Sequence, residues 1–484
     1  MTTEAFRKSH KRRFLPYFWV VAAGLVVFEL FSYPTNSFLS NITAVAITIA
    51  ALIPSYLWCS GLALGIPIFP LCSLTYVWTF SLPLVSDHPL VGTYSPEAHL
   101  RAGLVVISFL LVGTMVWFPL VKNPPRPKIT YRGFPNQRGN VLFLSLLGFY
   151  ALFAIANNGG WLFWLEEGWF TAVRAGILGL NTLASFVIAY RLGTRNLSPR
   201  QSQLAIVLLS FNIIASAVGL LLVGAASTFL LATVAYTIGR KKIPVLMMII
   251  FITCFAILHF GKAEMRAKYW WQPTGVSVQV SQYPAWFSEW AGYSVNYLSG
   301  LNSESSLTQS RGGDRQSILE RSSLIHLLLM VQAKSPGQIP FLNGYTYEII
   351  PELLVPRIFS PNKIASHEGT YRLNIHYGRQ TRADTSTTTI GWGLLNESYA
   401  NYGWGGSTAL GIILGAIYGW LTRLSINLPI LSSESLFGIL FLAFAFQTEW
   451  TAGVYVAALA QSSFMVLLIA ILFMEKQYTR ESHL

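Results

Sequence analysis

The sequence predicts an all-α polytopic membrane protein with about twelve transmembrane helices and one large, partly helical loop between helices 9 and 10. Hydrophobic residues make up 53% of the 484 residues, whereas charged residues make up only 11%. A water-soluble domain of this length does not need so apolar a composition for its core. Apolar runs of about 17 to 25 residues, which can cross a hydrocarbon layer of about 30 Å, recur with short polar breaks.

The predicted helices fall into two groups on either side of the polar segment 261–403. Helices 1–9 occupy residues 15–260, and helices 10–12 occupy residues 404–474. The expected spans begin near Leu15, Ile42, Leu64, Leu104, Val141, Thr171, Leu204, Gly224, Val245, Gly406, Leu436 and Ala452. The first run lacks the small-residue cleavage site of a signal peptide, so it is interpreted as a full-length span.

Lysine and arginine are unevenly distributed between the short loops, which predicts the orientation of the chain in the membrane. The tail 1–14 and the loop 122–138 are basic, the tail 475–484 carries Lys476 and Arg480, and all three are expected to be cytoplasmic. The opposite short loops hold only Arg101 and Arg174 among several acids, so the large polar loop is expected on the extracytoplasmic face. The net charge of +13 reflects this topology rather than binding to nucleic acid.

The large loop, residues 261–403, is rich in arginine, aromatic residues and glycine and holds more lysines and arginines than acids. This composition suits an anion that is attached to a ring-shaped group, such as a lipid-borne sugar. Aromatic residues between Lys262 and Tyr297 fit either an interfacial belt or a sugar-stacking surface. Asp314 opens a helical pattern that runs to about Lys334 and whose apolar half is too short to span a bilayer. All three cysteines lie in predicted spans, so no disulfide is expected to hold this loop.

Several cations of the loop are candidates for binding phosphate. Arg357 is expected on a stiff segment because prolines stand on both sides of it, and a fixed guanidinium suits bidentate recognition of phosphate. A second group is crowded into a short stretch: Arg372, His376, Arg379 and Arg382. The alternative for any one of these cations is a structural ion pair with Glu348, Glu352, Glu368 or Asp384. Taken together, the cations of this region outnumber the acids.

Glu397 lies about two turns before a predicted span, where an acid must pair with a cation, accept hydrogen bonds or titrate. It is the first candidate for a base that removes a proton from a hydroxyl group, and His376 is the second. The alternative for Glu397 is an ion pair with an arginine that orients the loop. Downstream, Gly411, Gly415 and Gly419 recur at every fourth position and predict the close approach of another helix.

Several motifs of other enzyme classes are absent from the sequence. It contains no D-x-D pair, no G-x-x-x-x-G-K-[ST] phosphate loop, no H-E-x-x-H and no G-x-S-x-G. These absences disfavour metal-dependent and serine-hydrolase chemistry, and they exclude ATP-driven transport by this chain. We therefore expect neither a metal site nor a cofactor.

The segment LVPRIFSPNK, followed by TTTIGWGLLNESYANYGWGG, resembles the bacterial O-antigen and oligosaccharide repeat-unit polymerases of the Wzy type. The matched positions are Pro356, Arg357, Pro361, Lys363, Glu397, Tyr399, Asn401, Gly403 and Gly406. The chain departs from the pattern at Ser360, where tryptophan is usual, and at Ile364, where a second proline is common. Strong local similarity covers about a tenth of the chain, while hydropathy and loop placement match over most of the rest.

The resemblance implies an inverting, metal-independent glycosyltransferase of GT-C-like type at the outer face of the bacterial plasma (inner) membrane. The growing glycan would leave undecaprenyl pyrophosphate and join the terminal sugar of a new lipid-linked repeat unit. The implied partners are the undecaprenyl-pyrophosphate-linked oligosaccharide, membrane lipids, and flippase and chain-length regulator proteins.

The reaction needs groups that neutralise the departing pyrophosphate and a base for the acceptor hydroxyl. The expected catalytic residues are Glu397, His376 and Arg357. The expected substrate- and pyrophosphate-binding residues are Arg321, Arg357, Lys363, Arg372, Arg379, Arg382, Arg174, Tyr399 and Asn401. Arg174 lies at the outer mouth of its span, where contact with a lipid headgroup is the alternative.

Two other functions stay open on the sequence alone. A ligase that moves finished glycan onto lipid A or protein would use the same chemistry. A flippase or transporter would only carry the lipid-linked sugar, and it would place its charges along a pathway within the helices. Because the cations are concentrated in one asymmetric loop, the sequence favours an enzyme.

Overall fold

The structure is a computed structural model. It describes residues 3–31, 37–126, 128–134, 136–162, 164–165, 167–270, 277–299, 318–355, 359–360, 363–386 and 388–478. The chain divides into two compact units. The first unit contains Met1–Gly133, Leu319–Leu472 and Lys476–Leu484, and the second contains Phe134–Ile318 and Phe473–Glu475.

Within the described residues, twelve helices belong to the first unit, and they come from both ends of the chain. The N-terminal helices are α1 (Thr3–Phe31), α2 (Phe38–Cys59), α3 (Ile68–Tyr76), α4 (Leu82–Val85) and α5 (Pro96–Lys122). The later helices are α12 (Ile318–Ser322), α13 (Ile325–Lys334), α14 (Ile350–Leu354), α15 (Glu368–His376), α16 (Leu394–Ser425), α17 (Ser433–Phe444) and α18 (Ala452–Phe473). A π-helical turn, Val77–Ser81, joins α3 to α4.

Helices α5 and α16 pack backbone to backbone in the first unit. A side chain on Gly411 would lie 2.6 Å from the carbonyl oxygen of Phe109, and one on Gly415 would collide with the backbone of Gly113. Gly419 packs against the side chain of Leu120, whose Cδ1 atom would lie 2.7 Å from an added Cβ atom. The close approach predicted from the spacing of these glycines is therefore confirmed.

Helix α16 is two helical segments joined at a kink. Tyr402 (φ −138°) and Gly403 (φ 61°) have non-helical backbone angles, and Gly403 accepts a positive φ because it lacks a Cβ atom. The ring of Phe341 packs directly over Gly403, where a Cβ atom would lie 3.1 Å from it. The kink separates the short segment that carries Glu397 from the longer segment that packs on α5.

The second unit is also helical. It contains α6 (Asn136–Asn158), α7 (Glu167–Thr194), α8 (Pro199–Ala217), α9 (Leu222–Arg240), α10 (Val245–Tyr269) and α11 (Tyr283–Leu298). Helix α8 begins at a capping box, because Ser198 and Gln201 satisfy each other's backbone amides. Within this unit the indole of Trp290 donates a 2.7 Å hydrogen bond to the carbonyl of Leu258, which ties α11 to α10.

Within the described residues, ten helices are long and apolar enough to cross a membrane, which supports an all-α, multi-pass membrane protein. A helix forms at each of the twelve predicted positions, but two fall short of a span. Ser433–Phe444 has 12 residues, or about 18 Å of helix, and Pro199–Ala217 carries Arg200, Gln201 and Asn212 among its apolar residues. The third span, Ile68–Val85, is a composite of α3, the π turn and α4.

Two features differ from the predicted secondary structure. Residues 475–478 form a strand, β2 (Glu475–Tyr478), that pairs with β1 (Thr130–Gly133), and the Tyr131 hydroxyl donates to Oε1 of Gln477 at 3.0 Å. The single helix predicted from Asp314 to Lys334 is two helices, α12 and α13, with residues 314–317 outside the described part of the chain.

Candidate active site at the loop face of the first unit

The connection between α17 and α18 organises the candidate site. The backbone amides of Trp392 and Gly393 both donate to the carbonyl oxygen of Glu449 at 3.1 Å. The hydroxyl groups of Thr370 and Thr451 lie 2.8 Å apart. This connection therefore holds the start of α16 and the α15 helix together.

Glu397 is completely buried beneath this connection. Its Oε2 atom accepts a 2.5 Å hydrogen bond from the amide of Ala452, and the side chain of Thr346 lies close to the carboxylate. Its Oε1 atom has no hydrogen-bond partner among the described residues. Within the same part of the chain, no lysine or arginine forms an ion pair with Glu397.

Asn401 is a tether rather than an open binding residue. Its Nδ2 atom donates to Oγ1 of Thr346 and to the carbonyl of Glu397, both at 2.8 Å, and its Oδ1 atom accepts from the amide of Gly344 at 3.0 Å. Since all of these atoms are buried, Asn401 fixes the 342–346 segment onto the first half of α16. Its neighbour Tyr399 is only partly buried and meets the Phe341 ring edge to face.

Two of the predicted phosphate-binding arginines share one carboxylate. Arg382 contacts Glu368 at 3.0 Å, and Arg372 lies 3.7 Å from the same acid and 3.6 Å from Glu348. The Arg372 guanidinium also lies 3.8 Å above the Tyr345 ring. Both arginines therefore form structural ion pairs, which is the alternative to phosphate binding.

Two further predicted residues contact backbone carbonyl groups. Lys363 donates to the carbonyls of Leu353 and Val355, at 2.5 and 2.7 Å, and so binds the C-terminal end of α14, where cations are favoured. Nε2 of His376 lies 2.9 Å from the carbonyl oxygen of Pro340, which leaves Nδ1 as the ring atom that could accept a proton.

Arg379 has a different environment from the other cations. It is partly buried, and among the described residues it forms no ion pair. Burial lowers the pKa of its guanidinium, and the neighbouring Tyr94 opposes that effect. An arginine that is partly desolvated and lacks an acidic partner suits an anionic ligand.

The positive charge of Arg379 acts on His326, which is one of a pair of stacked histidines. The rings of His88 and His326 lie 5.4 Å apart, tilted by 28°. Burial, followed by the fields of Arg379, His88 and Arg321, lowers the pKa of His326 to about 3. These four residues, His88, Arg321, His326 and Arg379, are called the histidine–arginine cluster below.

The remaining predicted residues lie elsewhere. Arg321 is half exposed, and its guanidinium lies 3.6 Å from Glu449. Arg174 is an exposed residue of the second unit. Arg357, which was expected to bind phosphate from a stiff segment between prolines, lies outside the described residues, as do Pro356 and Pro361.

A small cleft lies within the first unit. Its lining is mostly apolar, and its polar members include Thr75, Thr79, Gln447 and Tyr455. Leu394 and Leu395, in the first turn of α16, also line it. Within the described part of the chain, no three histidine, cysteine, aspartate or glutamate side chains are placed to hold a metal ion.

Sequence reasoning did not single out His88, His326 or Glu449. His88 stands in a short polar break, His326 near the start of an apolar helix, and Glu449 between two apolar runs. A lone polar residue beside each apolar run was the only available signal, because the contacts that unite these residues are long-range. Comparison with protein-family models, with curated proteins and with solved structures gave no match.

Proposed function

We propose that this protein is a membrane glycosyltransferase that polymerises lipid-linked glycan repeat units. The observation that carries the proposal is the histidine–arginine cluster. It places an arginine without an acidic partner among the described residues beside neutral imidazoles, in the unit that also buries Glu397. A departing diphosphate requires cations that are not already paired with acids.

The proposed reaction forms one glycosidic bond and breaks one sugar–phosphate bond. The hydroxyl oxygen of the acceptor sugar attacks the anomeric carbon of the donor glycan. The bond from that carbon to the diphosphate oxygen breaks, and the diphosphate leaves with the bonding electrons. The hydroxyl proton passes to a base, for which Glu397 is the first candidate and His376 the second. Attack opposite the leaving group inverts the anomeric configuration.

Glu397 can act in this way only after a local rearrangement, because its carboxylate is fully buried. The groups that cover it are the amide of Ala452 and the side chain of Thr346. Thr346 belongs to a connecting segment, and Ala452 is the first residue of α18, where the 447–452 segment enters that helix. Connecting segments and helix ends rearrange at lower cost than the interiors of packed helices. We infer that substrate binding displaces the 447–452 connection.

The site is proposed to face the periplasm, with both chain termini in the cytoplasm. The distribution of lysine and arginine between the short loops supports this orientation. Two basic residues of the first unit make contacts near the proposed cytoplasmic end. Lys128 pairs with Glu434 at 2.6 Å, and Arg423 donates to the carbonyls of Leu120 and Asn123.

The test is complementation of a strain from which the chromosomal gene has been deleted. Arg379→Gln should lower polymer formation by about ten- to a hundredfold, the loss expected for one hydrogen bond to a charged group. Single repeats should accumulate on the lipid carrier. Arg138→Gln is the matched control, since Arg138 is exposed in the second unit and pairs with Glu475, and it should make polymer of normal length.

Two results would redirect the proposal. Normal polymer stranded on the carrier in the deletion strain would identify a ligase instead. Lipid-linked repeats trapped on the cytoplasmic face would identify a flippase. Polymer of normal amount and length in the Arg379→Gln strain would remove the cluster from the reaction.

A further inference from the structure

One acidic side chain lies inside the membrane-spanning part of the first unit. Glu29 belongs to α1, within the apolar stretch Arg13–Phe31, and it is completely buried. Its Oε2 atom has no hydrogen-bond partner among the described residues. An ionisable residue inside a span is costly to keep there and usually marks a functional site. The proposed glycosyl transfer makes no use of Glu29, so this residue needs a separate explanation.

Two hydroxyl groups from two other candidate spans meet the second carboxyl oxygen of Glu29. Its Oε1 atom lies 2.5 Å from Oγ1 of Thr48 and 2.8 Å from Oγ of Ser81. The two hydroxyl oxygens are 2.9 Å apart, so these three oxygen atoms form a triangle. Oγ of Ser81 also lies 2.6 Å from the carbonyl oxygen of Ala44. These four oxygen atoms are called the Glu29 oxygen cluster below.

The backbone of the second and third spans places the cluster far from water. Thr48 lies in the middle of the 22-residue helix α2, and a helix of this length just crosses the hydrocarbon layer. Ser81 ends the π-helical turn Val77–Ser81, in which the amide of Leu82 donates to the carbonyl of Val77. Such turns are rare and frequently occur at functional sites.

The elements that contact Glu29 offer it no opposite charge. Helix α2 and the π-helical turn contain no lysine, arginine, histidine, aspartate or glutamate, and their titratable side chains are Tyr56 and Cys59 near the end of α2. The nearest cation on α1 is Arg13, about four helical turns away. Among the described residues, Glu29 forms no ion pair. A carboxylate at this position would therefore be a buried charge without a counter-ion.

The number of protons decides which form of Glu29 fits the cluster. Each of the four close oxygen–oxygen contacts needs one proton to become a hydrogen bond. With a carboxylate, the hydroxyl groups of Thr48 and Ser81 supply only two protons. With a carboxylic acid, Glu29 donates to Thr48 and Thr48 donates to Ser81. Ser81 then donates to the carbonyl oxygen of Ala44, so three of the four contacts hold a proton.

We propose that the Glu29 oxygen cluster is a proton-binding site inside the membrane, in which a neutral carboxylic acid joins three spans. The carboxylate takes one proton from solvent, and an O–H bond is the only bond that forms. Oε2 is then an uncharged carbonyl oxygen, which costs less to leave without a partner than a charged one. Contacts of 2.5–2.9 Å have hydrogen-bond lengths, whereas a metal ion between two oxygens would hold them further apart. This inference does not depend on the proposed function.

The test is infrared spectroscopy of the purified full-length protein at about pH 8, where exposed acids are ionised. Protonated carboxyl groups absorb apart from carboxylates, and their C=O band shifts in D2O. The wild-type spectrum minus that of Glu29→Gln should contain one such band, with the intensity of a single carboxyl group. Glu475→Gln is the matched control, because the Glu475 side chain is 61% exposed, and its difference spectrum should contain carboxylate bands. Carboxylate bands in the Glu29→Gln difference spectrum would overturn the inference.

A second variant keeps the test decisive if Glu29→Gln does not fold. Thr48→Val removes the group that accepts the acid proton, so the carboxyl band of Glu29 should move to higher frequency. Thr43→Val is the matched control on the same helix, since its hydroxyl donates to the carbonyl of Leu39, and it should leave the band in place. A band that Thr48→Val does not move would contradict the proton chain. Loss of the band when sodium chloride replaces potassium chloride would identify a sodium site and refute the proton site.

Discussion

The amide of Ala452 donates a 2.5 Å hydrogen bond to Oε2 of Glu397, across two helix starts that are distant in sequence. This bond places the acid at the junction of α16 and α18. Because Oε1 has no partner among the described residues, the carboxylate keeps one oxygen free for a proton. Glu397 is thus positioned by backbone rather than by an opposing charge.

Glu397→Gln should leave the fold intact and abolish polymer formation. The amide oxygen of glutamine can still accept from Ala452, but glutamine cannot take up the acceptor proton. Glycan analysis of the complemented strain measures the effect, and binding of a lipid-linked repeat by the purified variant should be preserved. Polymer of unchanged length would eliminate Glu397 as the base.

Asn401→Ala should destabilise the protein by about 2–4 kcal/mol, because it leaves several buried polar partners without hydrogen bonds. The affected groups are the amide of Gly344 and the hydroxyl of Thr346. Thermal unfolding in detergent provides the measurement. Asn401→Asp keeps the acceptor for Gly344 and should fall between the wild type and Asn401→Ala. Equal stability of all three proteins would show that the tether contributes nothing.

Gly415→Ala should lower stability by about 1–3 kcal/mol, the usual cost of overpacking. The new methyl group would collide with backbone atoms of Gly113, which cannot rotate away. Gly405→Ala is the matched control on the same helix, because nothing lies within 4 Å of the methyl group that it would add. A drop in the unfolding temperature of Gly405→Ala as large as that of Gly415→Ala would contradict the packing argument.

The neutral state of His326 predicts acid sensitivity. Its pKa in the folded protein is lowered to about 3, well below the value of about 6.5 in an unfolded chain. The unfolded state therefore binds the extra proton first as the pH falls. Stability is fully present above pH 6.5 or so and declines by about 1.4 kcal/mol per pH unit between there and about pH 3.

The measurement for this prediction is the unfolding temperature of the wild type and of His326→Gln between pH 4 and 8, in the absence of phosphate. The difference between the two proteins should change with pH only below about pH 6.5. A constant difference across the range would show that His326 is not held neutral by its surroundings.

Much of the fold could be predicted because it depends on local composition. Apolar runs of sufficient length form helices wherever they occur, and the spacing of Gly411, Gly415 and Gly419 identified the face of α16 that another helix approaches. The strands Thr130–Gly133 and Glu475–Tyr478 could not be predicted in this way. They are too short to show a periodic pattern, and they depend on pairing between distant segments.

The candidate site was less predictable because its chemistry depends on which distant groups meet. Arg372, Arg379 and Arg382 are nearly equivalent in the sequence, yet only Arg379 avoids the carboxylate of Glu368 that the other two share. The histidines of the cluster come from different ends of the first unit and carry no motif. Burial of Glu397 was likewise set by the connection between α17 and α18, whose contacts with α16 join residues that are distant in sequence.

The glycine contact between α5 and α16 has a mechanical consequence. Because almost no side-chain layer separates the two backbones, neither helix can slide past the other without a steric collision. The two helices are therefore expected to move as one rigid pair. Glu397, in the first turn of α16, is connected to this rigid pair through the kink at Tyr402 and Gly403. A substrate that reaches Glu397 must therefore displace the connecting segments that cover it, while α5 and the longer segment of α16 keep their positions.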